Sequence, residues 1–278
     1  MEFWLFLALA AALISGANTL LNRVVMLRHK EWWTFALAFQ LIGAILFLPF
    51  LAGAQLPSEP LPWALALFAS VLWAAIAVIA FKSYHYAEVS LRTPVTRLRI
   101  ILIVLFAVFV GEAVSANKLL GALVVFAGIV VATWKEKPLG SFGEKGVQLA
   151  LVVAFLTAAA YLVDKAASPS FNSAAYSFLQ FVLPAAWIWL AMPKHLELGS
   201  VRPQLAIVAL TALLGAAYYW MQIAAYQTGP VSIVAPVVEL SSLVAVVGGI
   251  VLLGERRHWG RKIMGVLVAC AGVAVMVL

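Results

Sequence analysis

Long apolar runs without charge, separated by short polar breaks, dominate the chain. Phe3 to Asn22 carries no charge, and neither do Trp32 to Ser58, Pro60 to Phe81, Ala166 to Pro193 and Pro203 to Val238. About 20 apolar residues suffice for a helix to cross a bilayer. Breaking the runs at turn residues and charges predicts ten helices, near 3–22, 33–52, 61–82, 91–110, 117–134, 147–164, 173–192, 203–226, 232–252 and 261–278. Gly, Pro, Ser and Asn mark the breaks, as in Leu56-Pro-Ser-Glu-Pro60 and Thr228-Gly-Pro230. The ten-residue alternating segments of a membrane β-barrel are absent from the pattern. The first run is too long for a signal peptide and lacks a basic leader, so it is expected to remain as a helix.

The runs repeat. Val89-Ser90 matches Val231-Ser232, Pro94 matches Pro236 and Tyr84 matches Tyr226, all at an offset of 142. Gly111-Glu112 matches Gly254-Glu255 at 143, and Gly121, Ala127 and Gly128 match Gly265, Ala271 and Gly272 at 144. Asn22-Arg23 against Asp164-Lys165 is a weaker match at the end of the first helix of each half. The halves, 1–138 and 139–278, hold five spans each. An odd repeat must enter the membrane in opposite senses, which is the inverted-repeat plan of secondary transporters. The expected fold is therefore an all-α integral membrane domain of ten transmembrane helices in two inverted five-helix repeats.

The pattern Val-Ser, Pro, Gly-Glu, Gly, Ala-Gly at the end of each half resembles the drug/metabolite transporter superfamily, in particular its ten-helix EamA-like branch. The resemblance runs over essentially the whole chain. It implies alternating-access movement of small polar metabolites or drugs, often amino-acid export, and leaves the substrate open.

Composition agrees: 65% of the 278 residues are hydrophobic and 10% charged, against roughly 25% charged in soluble domains. A cytosolic enzyme, a nucleic-acid-binding domain and a disordered chain are excluded. The net charge of +7 reads as a topology signal. On the side of the membrane where the first helix starts lie Lys118 and Lys165. On the other lie Arg23, Arg28, Lys30, Lys82, Arg92, Lys135, Lys137, Lys145, Lys194, Arg202, Arg256, Arg257, Arg261 and Lys262. Basic residues collect in cytoplasmic loops. The expectation is a multi-pass protein of the inner (plasma) membrane with both termini outside, opposite to many relatives.

Few charges remain inside the spans. Arg97 and Glu239 each lie three residues after a repeat-matched proline, about 8–10 Å into the apolar run at 1.5 Å per residue. An intramembrane charge costs at least about 2.5–3.5 kcal/mol and usually marks a pathway. Two readings stand: the pair lines the substrate site, or it is a salt bridge between the halves whose depth gap Arg97 only partly closes. Arg99 lies about 160–200° around a regular helix from Arg97. The arginines at 92, 97 and 99 are therefore not expected to share one cavity, and Arg99 faces either the cavity or a neighbouring helix. Glu239 is read as the one deep carboxylate and so as the proton-coupling candidate.

Around this pair, Gly215, Tyr219, Gln222 and Tyr226 form one stripe, matched by Trp73, Ala77, Ala80 and Tyr84. Either helix packing or substrate contact explains such stripes. Asn18 and Tyr161 join the candidates for substrate contact. Gln40 and Gln180 are read as helix glue, Tyr218 and Trp220 as pointing away. Pro94 and Pro236 are candidate kinks or hinges.

His29, His85, His195 and His258 are scattered, and one cysteine, Cys270, allows no internal disulfide. No metal site, cofactor or nucleotide-binding motif is expected. The expected partners are the bilayer and a small solute, with no nucleic acid, with proton coupling possible, and with the protein as monomer or homodimer. A transporter without ATP hydrolysis, acting on an amino acid or a related zwitterionic or anionic solute and exporting it, is the first reading. Alternatives are exchange of cationic drugs or quaternary amines for protons, an integral membrane enzyme on lipid-linked substrates, or a non-transporting membrane subunit.

Overall fold

The computed structural model describes residues 2–26, 32–54, 56–86, 95–133, 145–193, 202–252 and 259–277. Within them the regular structure is helical: α1 (Phe3–Met26), α2 (Trp32–Phe47), α3 (Pro60–Tyr86), α4 (Arg99–Phe106), α5 (Ala116–Thr133), α6 (Lys145–Ala167), α7 (Ser173–Ala191), α8 (Leu205–Thr228), α9 (Val231–Glu239), α10 (Ser241–Leu252) and α11 (Trp259–Val277). α9 and α10 together form the ninth span. Seven helices are long and apolar enough to cross a membrane, and three shorter apolar helices occupy Arg99–Val110, Ala116–Ala132 and Val231–Val244. These account for the ten runs in the sequence. α1 and α3 continue to Met26 and Tyr86, four residues beyond the ends expected. In lipid every backbone group needs an internal partner, so a helix outlasts its apolar run until water can take over. Large apolar side chains stay on the outer face, with Phe109 80% and Leu190 74% exposed. The protein is a multi-pass membrane protein.

Antiparallel packing of repeat-matched helices joins the halves. In α5 and α11, Gly121 faces Gly272 and Gly128 faces Gly265. A Cβ on Gly128 would lie 2.4 Å from the backbone nitrogen of Ala269, so two backbones meet where side chains would hold them apart. α2 crosses α7 in the same sense, with Gly43 under Phe181 while Ala36 and Leu37 pack with Ala185 and Ile188. The contact of α3 with α6 has its counterpart in that of α8 with α1. Antiparallel pairing of equivalent helices is what inverted repeats require.

One loop locks the repeats at the end where α1 begins. Gly111, at φ +79°, ends the fourth span in a left-handed conformation that glycine adopts without steric cost. This turn delivers Glu112 to the start of α9. Its carboxylate accepts from the backbone nitrogens of Val231 (2.5 Å) and Ser232 (3.1 Å) and from Ser232 Oγ (2.6 Å). An acidic group on free N–H groups at a helix N-terminus is favourable. Beside it, Lys165 Nζ donates to the carbonyls of Tyr226 (2.6 Å) and Gly229 (2.9 Å).

Candidate functional site

The fourth and ninth spans are broken at matching positions. Leu98 N donates to Val95 O at 3.1 Å, and Leu240 N donates to Val237 O at 3.1 Å. One turn on, Ile101 N donates to Leu98 O at 3.1 Å and Leu243 N to Leu240 O at 2.8 Å. Each matched pair is 142 residues apart. Hydrogen bonds over three residues tighten the helix locally to 3₁₀ geometry. The 100° step per residue therefore fails between Arg97 and Arg99.

That break corrects the expectation that these arginines point apart: both reach Glu239. Arg99 grips the carboxylate with two prongs, Nε to Oε1 at 2.8 Å and Nη2 to Oε2 at 2.7 Å. Arg97 meets Oε2 through Nη1, so the depth gap between spans is closed and the two halves are bridged directly. Tyr161 OH donates to Oε1 at 3.4 Å. Glu239 is 2% exposed, whereas the arginine side chains keep 12% and 17%. Two guanidiniums share one carboxylate, so the cluster carries an excess positive charge. Arg97 Nε is buried without a hydrogen-bond partner.

Glu239 is not the only deep carboxylate, and this is a second correction. Asp164 is fully buried. Tyr176 OH donates to its Oδ1 at 2.8 Å, while Trp73 Nε1 (3.1 Å) and Tyr219 OH (3.0 Å) donate to Oδ2. In the sequence Asp164 stands near the end of an apolar run, beside a lysine, and is indistinguishable from an interfacial charge. The last turns of α6, with the 3₁₀ turn Ser168–Ser170 that follows, carry the chain on past it and put it under cover. The usable signal was Tyr161 and Asp164 three apart on one helical face.

Aromatic rings connect the two carboxylates. The Trp73 ring lies 5.7 Å from Tyr161 and 5.9 Å from Tyr219, and Tyr161 lies 5.9 Å from Tyr226. The stripe on α8 faces inward as expected, since Gly215, Tyr219, Gln222 and Tyr226 are all buried. Gln222 Nε2 donates to Tyr226 OH at 2.8 Å. Gly215 makes room for the ring of Phe39. Asn18 is buried, and its Oδ1 has no partner. Gln180 Nε2 ties α7 to Ala66 O at 2.9 Å, as glue would. Trp220 is exposed, but Tyr218 packs on the core within electrostatic reach of Arg99 and Glu239, which corrects its placement. α9 runs unbroken through Pro236, and the break comes at Leu240. Pro94 and the side chain of Tyr84 lie outside the described residues.

The model of the EamA-like transporter family matches residues 2–134 and again residues 144–278. No curated protein matches the sequence. A solved structure, described only as the crystal structure of a protein, has a TM-score of 0.75 at 21% identity, over 98% of this chain and 95% of the other. At that identity the likeness speaks for the fold. The doubled family match covers nearly all of the chain, on two halves whose helices pair and break at equivalent positions: the chain belongs to the EamA-like transporter family and is a membrane transporter of the drug/metabolite type.

Proposed function

We propose that this transporter moves a small polar solute with a carboxylate, an amino acid or a related zwitterion or anion, by alternating access without ATP. The observation that carries this reading is the sharing of Glu239 by two arginines. Arg99 holds the carboxylate through two bonds, whereas Arg97 spends one nitrogen on it and leaves Nε without a partner. An entering carboxylate finds a pre-aimed guanidinium whose charge is not fully matched. Arginine is suited to this because its fork fits a carboxylate. The solute would lie among Trp73, Tyr161, Tyr219 and Tyr226, with Gln222 and Asn18 as further polar contacts. Glu239 would meet the cationic end of a zwitterion. Opening then requires the bridge between the repeats to loosen, which substrate exchange at Arg97 provides. The charge bias supports a cytoplasmic position for the basic loops, in the inner membrane, and export as the working direction rests on the family resemblance alone.

Uptake of a mixture of radiolabelled amino acids into reconstituted vesicles tests this. Arg97→Ala and Glu239→Gln are both expected to abolish exchange of the transported members. Unchanged exchange in both variants overturns the site.

A further inference from the structure

We propose that Asp164, not Glu239, is the group that takes up and releases a proton during the cycle. Both carboxylates are buried in the membrane-spanning part, but they are balanced differently. Glu239 is held by two cations and a phenol, so protonating it would strand two guanidiniums. The donors to Asp164 are all neutral: Trp73 from α3, Tyr176 from α7 and Tyr219 from α8. Asp164 also feels Tyr226 of α8, whose hydroxyl oxygen accepts from Gln222. Its neighbour Lys165 is turned to the carbonyls that end α8. Arg97 and Arg99 of the fourth span are held by Glu239. A buried carboxylate without a countercharge is costly, and neutralisation by a proton relieves it.

The neutral form also has its hydrogen bonds provided for. Protonation of Oδ1 turns that oxygen from acceptor to donor, so the hydroxyl of Tyr176 must find another acceptor. Gln180 follows Tyr176 by four residues on α7, one turn on along the same face. Its Oε1 is buried and has no partner. The Tyr176 hydroxyl can swing from Asp164 to Gln180 and accept from the acid proton in turn. One O–H bond forms when the proton enters and breaks when it leaves, and the carboxylate passes between −1 and 0. Tyr219 and Trp73, on elements of both repeats, feel each change directly. The coupling role rests on the transport reading above, but the protonation does not.

Infrared spectra of the purified protein, titrated with pH, read the carboxylic acid carbonyl band without any solute. The part of that band that Asp164→Asn removes, against the other ten acidic residues, is expected to titrate in the wild type and in Glu239→Gln alike. Trp73→Phe removes a donor to the ionised form and should move the midpoint up by roughly half a pH unit to one unit. Gln180→Leu removes the acceptor that serves the neutral form and should move it down. Asp164→Glu should restore a titrating band. A titrating band that is unchanged in Asp164→Asn, or midpoints of the Asp164 part that move in the same direction in Trp73→Phe and Gln180→Leu, overturns the proposal. In vesicles loaded with the amino-acid mixture, Asp164→Asn should keep exchange at equal pH and lose accumulation driven by a pH gradient. Accumulation that survives in Asp164→Asn refutes the coupling role. If the wild type moves none of the mixture, the substrate reading fails while the spectra still decide the protonation.

Discussion

Arg97 and Arg99 differ in how they hold Glu239, and their conservative replacements should differ accordingly. Arg99 uses two nitrogens on two oxygens at 2.8 and 2.7 Å, whereas Arg97 uses one nitrogen on one oxygen. Lysine keeps the charge but cannot form the fork. Arg99→Lys therefore loses at least one charge-assisted hydrogen bond. Such bonds contribute about 1.5–3 kcal/mol. Neutral bonds between membrane helices average about 0.6 kcal/mol, so the lower end of the range, about 1.5 kcal/mol, is the expectation. Arg97→Lys can keep its single contact and should cost less than about 1 kcal/mol. About 1.4 kcal/mol is a tenfold change in an equilibrium constant. Denaturant unfolding in mixed micelles, followed by the fluorescence of the ten tryptophans, resolves such a gap. The coupling can be isolated in a cycle with Glu239→Ala, where the extra cost of Arg99→Lys should disappear. If Arg97→Lys destabilises as much as Arg99→Lys, or the cycle shows no coupling, the division into a clamp and a spare guanidinium is wrong.

Glu112→Ala should destabilise the protein by about 1–2 kcal/mol, since it strips a charged cap from α9. Glu112→Gln should recover part of that loss, and equal stability of Glu112→Ala and wild type in the same unfolding assay would contradict the capping role. Gly128→Ala should cost about 1–3 kcal/mol, because its Cβ would press on the Ala269 backbone at 2.4 Å. A variant as stable as the wild type would show that α5 and α11 separate freely. A reporter active only in the cytoplasm, fused after Leu278, should be silent, and activity would reverse the proposed orientation.

The spans and their repetition were legible in the sequence because lipid imposes one rule along the whole chain. Each crossing must be apolar, helical and about 20 residues long, so the runs alone place the ten spans. The repeat likewise survives as Val-Ser, Gly-Glu and paired glycines, since backbone turns and close contacts constrain residue type locally. Glycines 121, 128, 265 and 272 could be matched by offset, yet only the fold shows that they face one another.

The site was half legible. Arg97 and Glu239 stood out as the charges that topology did not explain. What the sequence could not supply was direction. A regular helix turns Arg99 away from Arg97, and only the paired breaks at Arg97–Leu98 and Leu240 bring both guanidiniums onto one carboxylate. Asp164 was hidden for a different reason. Depth in the membrane is read from distance to the end of an apolar run, but burial depends on what packs over that end. Trp73, Tyr176 and Tyr219 come from three other helices, and no local pattern announces that they converge. Composition and periodicity thus determined that this chain lives in lipid and how often it crosses. Tertiary packing decided which few polar groups meet there, because burial and hydrogen bonding are set by neighbours distant along the chain.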